Sequence, residues 1–468
     1  MRRITSPGLR HALLLPAILA WPVPCHAAEP ARYAAIISVD GLGADVLDMR
    51  HPCAPALRAI RKLADSGVYS AGVRGIFPTI TYPAHASIVT GRVPASHGVV
   101  DNGGPGKQYG WYMDRADIRG QTLWDAARDA GISVAVVTWP STYGAQVDYL
   151  VPENLSSESN VAELIRKGST PGLFESLESA TGAVALLPFS AREAGTPLDA
   201  TTSRFASEVV RRHRPVLLLM HFLDFDHRQH YAGPRSREAC DALARIDSHV
   251  ADLISAYRTA GIVERTTFFV VSDHGFLPVR ADVNVAAVLA GAGWADNEAG
   301  GRAPHEVFDV RLAGGSVVFY RKAPGDKPLP PELLARLRSR IVSQFAHVVR
   351  WIGPEKLEAL GASPEAAFAL CAVPGNALVY VPSRKAVLAN ATPSMRGSHG
   401  YCPDEKNMDA VFIASGARVK PRGRIPAIDM VDIGPTIAEH IGVSMNEATG
   451  RSKAGLLREA PARQKRPR

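Results

Sequence analysis

The sequence predicts an α/β fold in which a mostly parallel sheet is covered by helices on both faces. The chain has 468 residues with 46% hydrophobic content, which is enough to bury a large core. Short and continuous apolar runs recur along it, separated by segments with helical character. Continuous runs are typical of parallel strands buried on both faces, whereas a strand with one solvated face alternates polar and apolar residues.

The predicted elements follow one another in an alternating order. The strands are predicted at residues 33–39, 132–138, 216–220 and 267–271, and the helices at 55–66, 122–130 and in a closing segment at 430–443. Residues from about 282 to 393 break this rhythm and predict an insertion, here called the cap segment, within one domain. We therefore expect a single domain over residues 28–451.

Both ends of the chain are expected to lie outside that domain. Residues 1–27 contain three arginines, an apolar run at 12–21 and small residues up to Ala27, which is the pattern of a secretory signal peptide. The run is too short to span a bilayer, so we expect an exported protein without a transmembrane anchor. Residues 452–468 hold six basic residues and one acidic residue, and we expect this tail to be disordered.

Charge and cysteine content exclude two classes of function. Between the signal peptide and the tail, basic and acidic residues balance, and no basic stripe indicates a site for duplex nucleic acid. Four cysteines remain after processing: Cys53, Cys240, Cys371 and Cys402. They form no CxxC pair, which argues against a thiolate zinc site. In an oxidising compartment they allow three disulfide pairings, of which we prefer the one that contains Cys371–Cys402.

A threonine-containing loop enters a predicted short helix at residues 77–102, FPTITYPAHASIVTGRVPASHGVVDN. A hydroxyl at a helix N-terminus faces unpaired backbone N–H groups, which suits a phosphate-like anion. Taken alone, such a loop more often only caps its helix. The loop gains meaning from the residues that follow the predicted strands.

Carboxylates and imidazoles collect where the predicted strands end. The candidates are Asp40, Asp226, His230, Asp273, His274 and His399. Each alone is more often a turn residue or an exposed side chain, but ligands of parallel sheets bind beyond the carboxyl ends of the strands. Mixed imidazole and carboxylate ligands fit zinc better than manganese or iron. Asp226 and His230 can share an ion if their segment is helical, and Asp273 and His274 can do so if theirs kinks.

These motifs, in this order, resemble the nucleotide pyrophosphatase/phosphodiesterase family of the alkaline phosphatase superfamily. The matching motifs are VDG at 39–41, FPTxTxPxH at 77–85, TGxxPxxHGxxxN at 90–102, WPS at 139–141, DxxxH at 226–230, SDHG at 272–275 and GSHG at 397–400. The resemblance implies an alkaline-phosphatase-like three-layer α/β/α sandwich. One departure is Ala84, which stands where the family usually has Asn.

The resemblance also implies a role for each matching residue. Thr81, not Thr79, would be the nucleophile, and Asn102 would donate a hydrogen bond to a phosphate oxygen. The implied ligands are Asp40, Asp273, His274 and Thr81 for one zinc and Asp226, His230 and His399 for the other, with Asp224 as a rival of Asp226. Tyr82 stands where the family places a ring that stacks on the nucleobase or the leaving group. We add Trp139 and Tyr149 as candidate substrate-binding aromatic residues.

The expected activity is hydrolysis of a phosphodiester or phosphoanhydride through a covalent phospho-threonine, on a small-molecule nucleotide or diester. Residues 136–154 contain no Lys or Arg, whereas monoesterases with a threonine nucleophile bring extra cations to this region. A sulfatase is disfavoured because threonine cannot give the required aldehyde. A phosphomonoesterase, a phosphonate hydrolase and an inactive exported binding protein remain the alternatives. The sequence gives no signal for an oligomeric state.

Overall fold

The computed structural model describes residues 33–104, 110–155, 160–182, 197–294, 304–322, 330–381, 386–388 and 395–458. The predicted signal peptide, the last ten residues of the predicted tail and parts of the cap segment lie outside these ranges. The strands are β1 (Tyr33–Val39), β2 (Val68–Ser70), β3 (Val73–Arg74), β4 (Val134–Val137), β5 (Tyr149–Val151), β6 (Leu217–Phe222), β7 (Thr266–Val271), β8 (Leu277–Pro278), β9 (Ala281–Asn284), β10 (Phe308–Leu312), β11 (Ser316–Arg321), β12 (Val349–Ile352), β13 (Ala366–Ala372), β14 (Asn376–Val379), β15 (Val387–Leu388), β16 (Gly397–Ser398), β17 (Phe412–Gly416), β18 (Gly423–Ile425) and β19 (Ile428–Asp429).

Helices connect these strands. They are α1 (Ala59–Ser66), α2 (Thr81–Thr90), α3 (Pro94–His97), α4 (Leu123–Asp129), α5 (Val161–Gly168), α6 (Leu173–Thr181), α7 (Pro197–His213), α8 (Asp224–Ala232), α9 (Arg237–Thr259), α10 (Val285–Gly291), α11 (Pro304–Val307), α12 (Pro331–Gln344), α13 (Pro354–Ala359), α14 (Ile433–Ile441) and α15 (Ala454–Arg458). The predicted strands and helices are therefore present, with boundaries shifted by a few residues. Such shifts are common because helix and strand ends depend on packing.

An eight-stranded sheet forms the centre of the molecule, in the order β18-β2-β17-β7-β1-β6-β4-β5. β1 pairs in parallel with both β6 and β7, and β4 pairs in parallel with β5 and β6. β17 is antiparallel to both of its neighbours, β7 and β2. The prediction of a mostly parallel sheet is confirmed, and its carboxyl edge collects the residues that follow β1, β4, β6 and β7.

Each face of this sheet is buried under a separate layer of helices. Along β1, Ala34 and Ile36 pack into one apolar cluster with residues of α2, α4 and α14. The alternate residues Ala35 and Ile37 pack into a second cluster with residues of α1, α7 and α9. Because successive side chains of a strand point to opposite faces, a run buried throughout requires both layers. The α/β/α arrangement follows directly from that pattern.

The cap segment builds a second, smaller sheet. β10, β11, β13 and β12 form an antiparallel sheet in that order. β14, β9 and β15 form a separate three-stranded sheet. These strands and α10 and α12 share their own apolar cluster, which includes Phe319, Leu337 and Phe368. After the cap segment, β16 pairs with β8, which brings the chain back beside the end of β7.

The predicted disordered tail is partly wrong. Ala454 and Leu457 of α15 are fully buried, and Leu457 belongs to the same apolar cluster as α14. Arg422 also donates to the carbonyl of Arg458 at 2.8 Å. The basic composition of residues 452–468 predicts disorder, but the apolar positions within this segment are enough to dock α15 on the core. The folded domain therefore extends to Arg458 rather than ending at Arg451.

Two disulfides join distant parts of the domain. Cys371 pairs with Cys402, as predicted, and Cys53 pairs with Cys240. The first links β13 of the cap sheet to the loop after β16, and the second links the region before α1 to α9. Among the described residues, no helix has the length and apolar content needed to cross a bilayer.

Candidate metal centre and nucleophile loop

One cluster of three buried side chains lies beyond β1 and β7. Asp40 directly follows β1, and Asp273 and His274 follow the neighbouring strand β7. The Nε2 atom of His274 lies 3.0 Å from Oδ2 of Asp273 and 3.5 Å from Oδ1 of Asp40. The strand ends before Asp273, and this allows the adjacent Asp273 and His274 to converge on one point. The structure thus brings together these three candidate ligands.

Gly41 makes the turn that holds this cluster. Its φ of +68° lies in the left-handed region, and its N–H donates to Oδ1 of Asp273 at 3.0 Å. A Cβ at this position would lie 2.8 Å from Nε2 of Gln229 and 3.0 Å from the ring of Phe276. Glycine is therefore required here both by conformation and by space.

A second cluster lies beyond β6. Asp226 and His230 are four residues apart on α8, so their side chains share one face of the helix, with 3.5 Å between Oδ2 and Nε2. His399 follows β16, and its Nε2 lies 3.7 Å from Oδ1 of Asp226. The rival carboxylate, Asp224, forms ion pairs with Arg245 at 2.7 Å and Arg228 at 3.4 Å instead. In each cluster the potential ligand atoms lie within 4.8 Å of one another.

The three histidines share one orientation. Each directs Nδ1 at a backbone carbonyl oxygen: His274 at Gly275 (3.2 Å), His230 at Gly397 (3.1 Å) and His399 at Thr79 (3.2 Å). A carbonyl oxygen can only accept, so Nδ1 carries the proton and the lone pair of a neutral ring lies on Nε2. All three Nε2 atoms face the carboxylates of their own cluster. This is the arrangement that metal-ligating histidines typically show.

Unpaired atoms and electrostatics both indicate that the clusters accept cations. Four buried ligand atoms have no hydrogen-bond partner among the described residues: Oδ1 of Asp40, Oδ1 of Asp226, Oδ2 of Asp273 and Nε2 of His274. Burial raises the pKa of Asp40 well above its usual value, and the nearby carboxylates of Asp273 and Asp226 raise it further. Buried charges need a partner or a metal. The residues present fit two divalent cations, one in each cluster.

Thr81 is the first residue of α2, and the loop before it is hydrogen-bonded to His399 of the second cluster. It is 7% exposed and follows the extended residue Ile80. The carbonyl oxygen of Thr79 accepts from the N–H of Gly400 at 3.0 Å, as well as from His399. This contact fixes the loop at residues 77–81, which leads into α2, against the second cluster. Thr81 begins a ten-residue helix whose first-turn N–H groups are largely occupied: Tyr82 donates to Asn102, Ala84 donates to the carbonyl oxygen of Ile80, and Pro83 has no N–H.

His85 fixes the first turn of α2 against the first cluster. Its Nδ1 lies 2.8 Å from the carbonyl oxygen of Thr81, and its Nε2 lies 2.8 Å from Oγ of Ser38 on β1. It also approaches Oδ2 of Asp273 to 3.9 Å. Burial lowers the pKa of His85 to about 3, so the ring is neutral at physiological pH. Its role is to hold the helix in register with β1.

Asn102 reaches the same helix from the far end of the loop. Its Oδ1 accepts the N–H of Tyr82 at 2.9 Å. Because this oxygen must be the acceptor, the amide NH₂ is the end that remains able to donate. The residue directly after Thr81 is therefore tied to a side chain whose donor can serve an anion beside Thr81.

The structure does not support the predicted substrate contacts of three aromatic residues, which are either buried or distant from both clusters. Tyr82 is fully buried, packs on Trp111 with 5.7 Å between ring centroids, and donates its hydroxyl to Glu153. Trp139 is fully buried as well, with its ring edge-on to His85 at 5.0 Å. Tyr149 stacks on His213, which precedes β6 and so lies toward the amino edge of the sheet, away from both clusters.

Two residues that the sequence analysis missed support the first cluster. His221, on β6, places Nε2 3.1 Å from Oδ2 of Asp40 and Nδ1 3.0 Å from Oε1 of Glu153. Burial lowers the pKa of His221, but its hydrogen bonds to Asp40 and Glu153 outweigh burial and raise the pKa overall. A polar residue within a six-residue buried strand was the available signal.

A large cavity also lies away from the clusters. It has a volume of about 830 Å³ and is lined by residues of the cap segment and by Ala95, but by none of the candidate ligands. Size alone would nominate it as the binding site. The candidate ligands and Thr81 lie instead at the carboxyl edge of the central sheet.

Comparison with known proteins identifies the family. Residues 34–336 match the family described as type I phosphodiesterase/nucleotide pyrophosphatase. The chain belongs to this family. Among curated members, ectonucleotide pyrophosphatase/phosphodiesterase family member 1 of Mus musculus is 26% identical over 252 residues, which are 51% of this chain and 23% of that protein. Venom phosphodiesterase 2 of Crotalus adamanteus is 24% identical over 255 residues, 53% of this chain and 27% of that protein. This type I phosphodiesterase family chain thus spans about a quarter of these relatives.

A solved structure supports the fold of this family member. Murine ectonucleotide pyrophosphatase/phosphodiesterase 5 aligns with a TM-score of 0.64 and 16% identity, over 91% of this chain and 99% of the murine chain. An inactive threonine-to-alanine variant of the murine protein, in complex with AMP, aligns with a TM-score of 0.63 over 90% of this chain and 97% of the murine chain. The predicted alkaline-phosphatase-like fold is therefore confirmed.

Proposed function

We propose that this chain is an exported two-zinc phosphodiesterase or nucleotide pyrophosphatase with Thr81 as its nucleophile. The observation that carries the proposal is the pair of three-residue clusters, each with unpaired ligand atoms. The second cluster is hydrogen-bonded through His399 to Thr79, in the loop that leads to Thr81. Asp40, Asp273, His274 and Thr81 would hold one zinc, and Asp226, His230 and His399 the other. Bound zinc ions would acidify a coordinated hydroxyl and neutralise phosphoryl charge.

The chain's own residues supply the nucleophile and its orientation. The Oγ1 atom of Thr81 attacks phosphorus, the bond from phosphorus to the leaving oxygen breaks, the hydroxyl proton of Thr81 passes by way of solvent to the leaving oxygen, and a phospho-threonine ester forms. Water then attacks phosphorus and the bond to Oγ1 breaks. The water oxygen stays on phosphorus, and one of its protons returns by way of solvent to Oγ1. Asn102 donates its amide N–H to a non-bridging oxygen. His85 keeps that turn in place throughout.

The surroundings of the site favour a diester over a monoester. A monoester carries an additional negative charge, and residues 136–154, which include the carboxyl ends of β4 and β5, offer no Lys or Arg to meet it. Arg311 of the cap sheet approaches the carbonyl of Gly103, but it is already paired with Asp309 at 2.7 Å. The AMP bound to the murine relative supports a nucleotide as the substrate class.

Two observations support export. The sequence begins with a signal-peptide pattern, and the folded domain contains two disulfides. Disulfides form and persist mainly in oxidising compartments such as the periplasm or the extracellular space. We therefore propose a periplasmic or secreted location after cleavage near Ala27.

The test is a paired assay of the mature protein with zinc. One arm uses p-nitrophenyl thymidine 5′-monophosphate and the other p-nitrophenyl phosphate, each with wild type and Thr81→Ala. The proposal expects turnover of the diester, little turnover of the monoester, and loss of activity in Thr81→Ala. Preference for the monoester would overturn the diesterase assignment. Full activity of Thr81→Ala would overturn the role of Thr81.

A further inference from the structure

A continuous chain of buried hydrogen bonds leads from the first cluster to α2. Oδ2 of Asp40 lies 3.1 Å from His221, the other nitrogen of His221 lies 3.0 Å from Oε1 of Glu153, and Oε2 of Glu153 accepts the hydroxyl of Tyr82 at 2.8 Å. All four side chains are at most 2% exposed. The backbone N–H of Tyr82 then donates to Asn102. The chain therefore connects a candidate ligand with the residue that follows the nucleophile.

This hydrogen-bond chain determines which oxygen of Asp40 faces the first cluster. His221 occupies Oδ2, which leaves Oδ1 as the atom that has no hydrogen-bond partner among the described residues and that faces His274 at 3.5 Å. Glu153 has one oxygen on His221 and the other on Tyr82, so neither oxygen is available to move without breaking a bond. A side chain held at both ends keeps a fixed rotamer, and partners of this kind orient the ligands of metal sites.

We propose that His221, Glu153 and Tyr82 act together as positioning residues that set Asp40 as a ligand and link it to the first turn of α2. This inference rests on the metal centre of the proposed function and adds residues to it. It also gives Tyr82 a role other than stacking on a base, in keeping with its burial against Trp111. None of the three residues touches the substrate in this account.

Two substitutions of His221 test its hydrogen bond to Asp40 separately from its hydrogen bond to Glu153. In His221→Gln the amide nitrogen lies near the position of Nε2 and can still donate to Asp40. In His221→Asn it lies near Nδ1 and can still reach Glu153, while the bond to Asp40 is lost. Loss of a partner that orients a ligand lowers metal affinity by about 10- to 100-fold. We expect His221→Asn to lose about tenfold or more in one of two zinc-binding steps, and His221→Gln to lose clearly less.

Tyr82→Phe tests the far end of the chain without opening a cavity. It removes only the hydroxyl, so the ring keeps its packing on Trp111. The matched control is Tyr257→Phe, because Tyr257 is fully buried on α9 and its hydroxyl has no partner among the described residues. We expect Tyr82→Phe to weaken the same zinc-binding step, and Tyr257→Phe to leave it unchanged. Tyr82→Phe should have little further effect in a His221→Asn background.

The measurement is zinc affinity by chelator competition, accompanied by thermal unfolding of each metal-free protein. Equal affinities for His221→Asn and His221→Gln, or equal effects of Tyr82→Phe and Tyr257→Phe, would overturn the positioning chain while zinc binding by wild type keeps the metal centre. Additive losses in the double variant would overturn the coupling between its ends. If His221→Asn fails to fold, Tyr82→Phe and its control still decide between the outcomes.

Discussion

Replacing Asn102 by Asp separates its structural contact from its proposed catalytic one. In the folded protein Oδ1 of Asn102 accepts the N–H of Tyr82 at 2.9 Å, and a carboxylate oxygen can keep that bond. The amide NH₂ is replaced by a second carboxylate oxygen, which repels an anionic phosphoryl group instead of donating to it. Removing one such donor typically costs about 10²- to 10³-fold in kcat, or about 3–4 kcal/mol. We expect at least this loss for Asn102→Asp.

Asn102→Ala provides the comparison. It removes the same donor and also the acceptor for Tyr82, and leaving that N–H without its partner costs about 1–3 kcal/mol. Because Asn102 is partly exposed and water can replace the bond, we expect the lower end of this range. The assay combines kcat/KM on the nucleotide diester with thermal unfolding of both variants. An Asn102→Asp variant with kcat/KM within threefold of wild type would refute the donor role.

Three further predictions follow from the structure. Chelation should abolish diesterase activity and lower the thermal midpoint, because cations that bind only the folded state stabilise it; an unchanged midpoint would contradict this. Burial raises the pKa of Asp101 to about 7, above its unfolded value of about 3.9, so its stabilising contribution is complete below about pH 4 and is lost as pH rises to 7. Asp101→Asn should therefore raise the free energy of unfolding above that of wild type at pH 8 but not at pH 4. The expected gain is only on the order of 1 kcal/mol, because the residue is partly exposed and solvent screens part of the effect. Equal differences at both pH values in denaturant unfolding would argue against it. Leu457→Ala should cost about 2–4 kcal/mol, and Leu456→Ala, at a partly exposed position of α15, should cost less; equal costs in denaturant unfolding would argue against a docked tail.

The candidate ligands could be predicted from the sequence because they follow buried apolar runs. A run such as residues 33–39 predicts a parallel strand, and the residues that follow parallel strands lie at one edge of the sheet. Asp40, Asp226 and Asp273 are therefore placed by local pattern alone. His399 is different, since its position depends on the pairing of β16 with β8 across the whole cap segment, and its assignment to the second cluster comes from the family resemblance.

Exposure of aromatic side chains could not be predicted in the same way. Tyr82 is buried because Trp111 covers its ring and Glu153 accepts its hydroxyl, and both partners are distant in sequence. Tyr149 lies at the amino edge because it is the first residue of β5, a strand that is parallel to β4 and that the sequence pattern does not predict. His221 was missed because one polar residue in a strand reads as an ordinary part of the core. Each of these depends on contacts between elements that no local pattern encodes.

The most direct test of the central claim is to identify the residue that carries the covalent intermediate. Wild-type protein with zinc is mixed with p-nitrophenyl thymidine 5′-monophosphate, quenched in acid within milliseconds, digested and examined by mass spectrometry. The account predicts a thymidine monophosphate adduct on Thr81 in the peptide that contains α2, and no adduct in Thr81→Ala. An adduct on any other residue, or full turnover by Thr81→Ala, would contradict it.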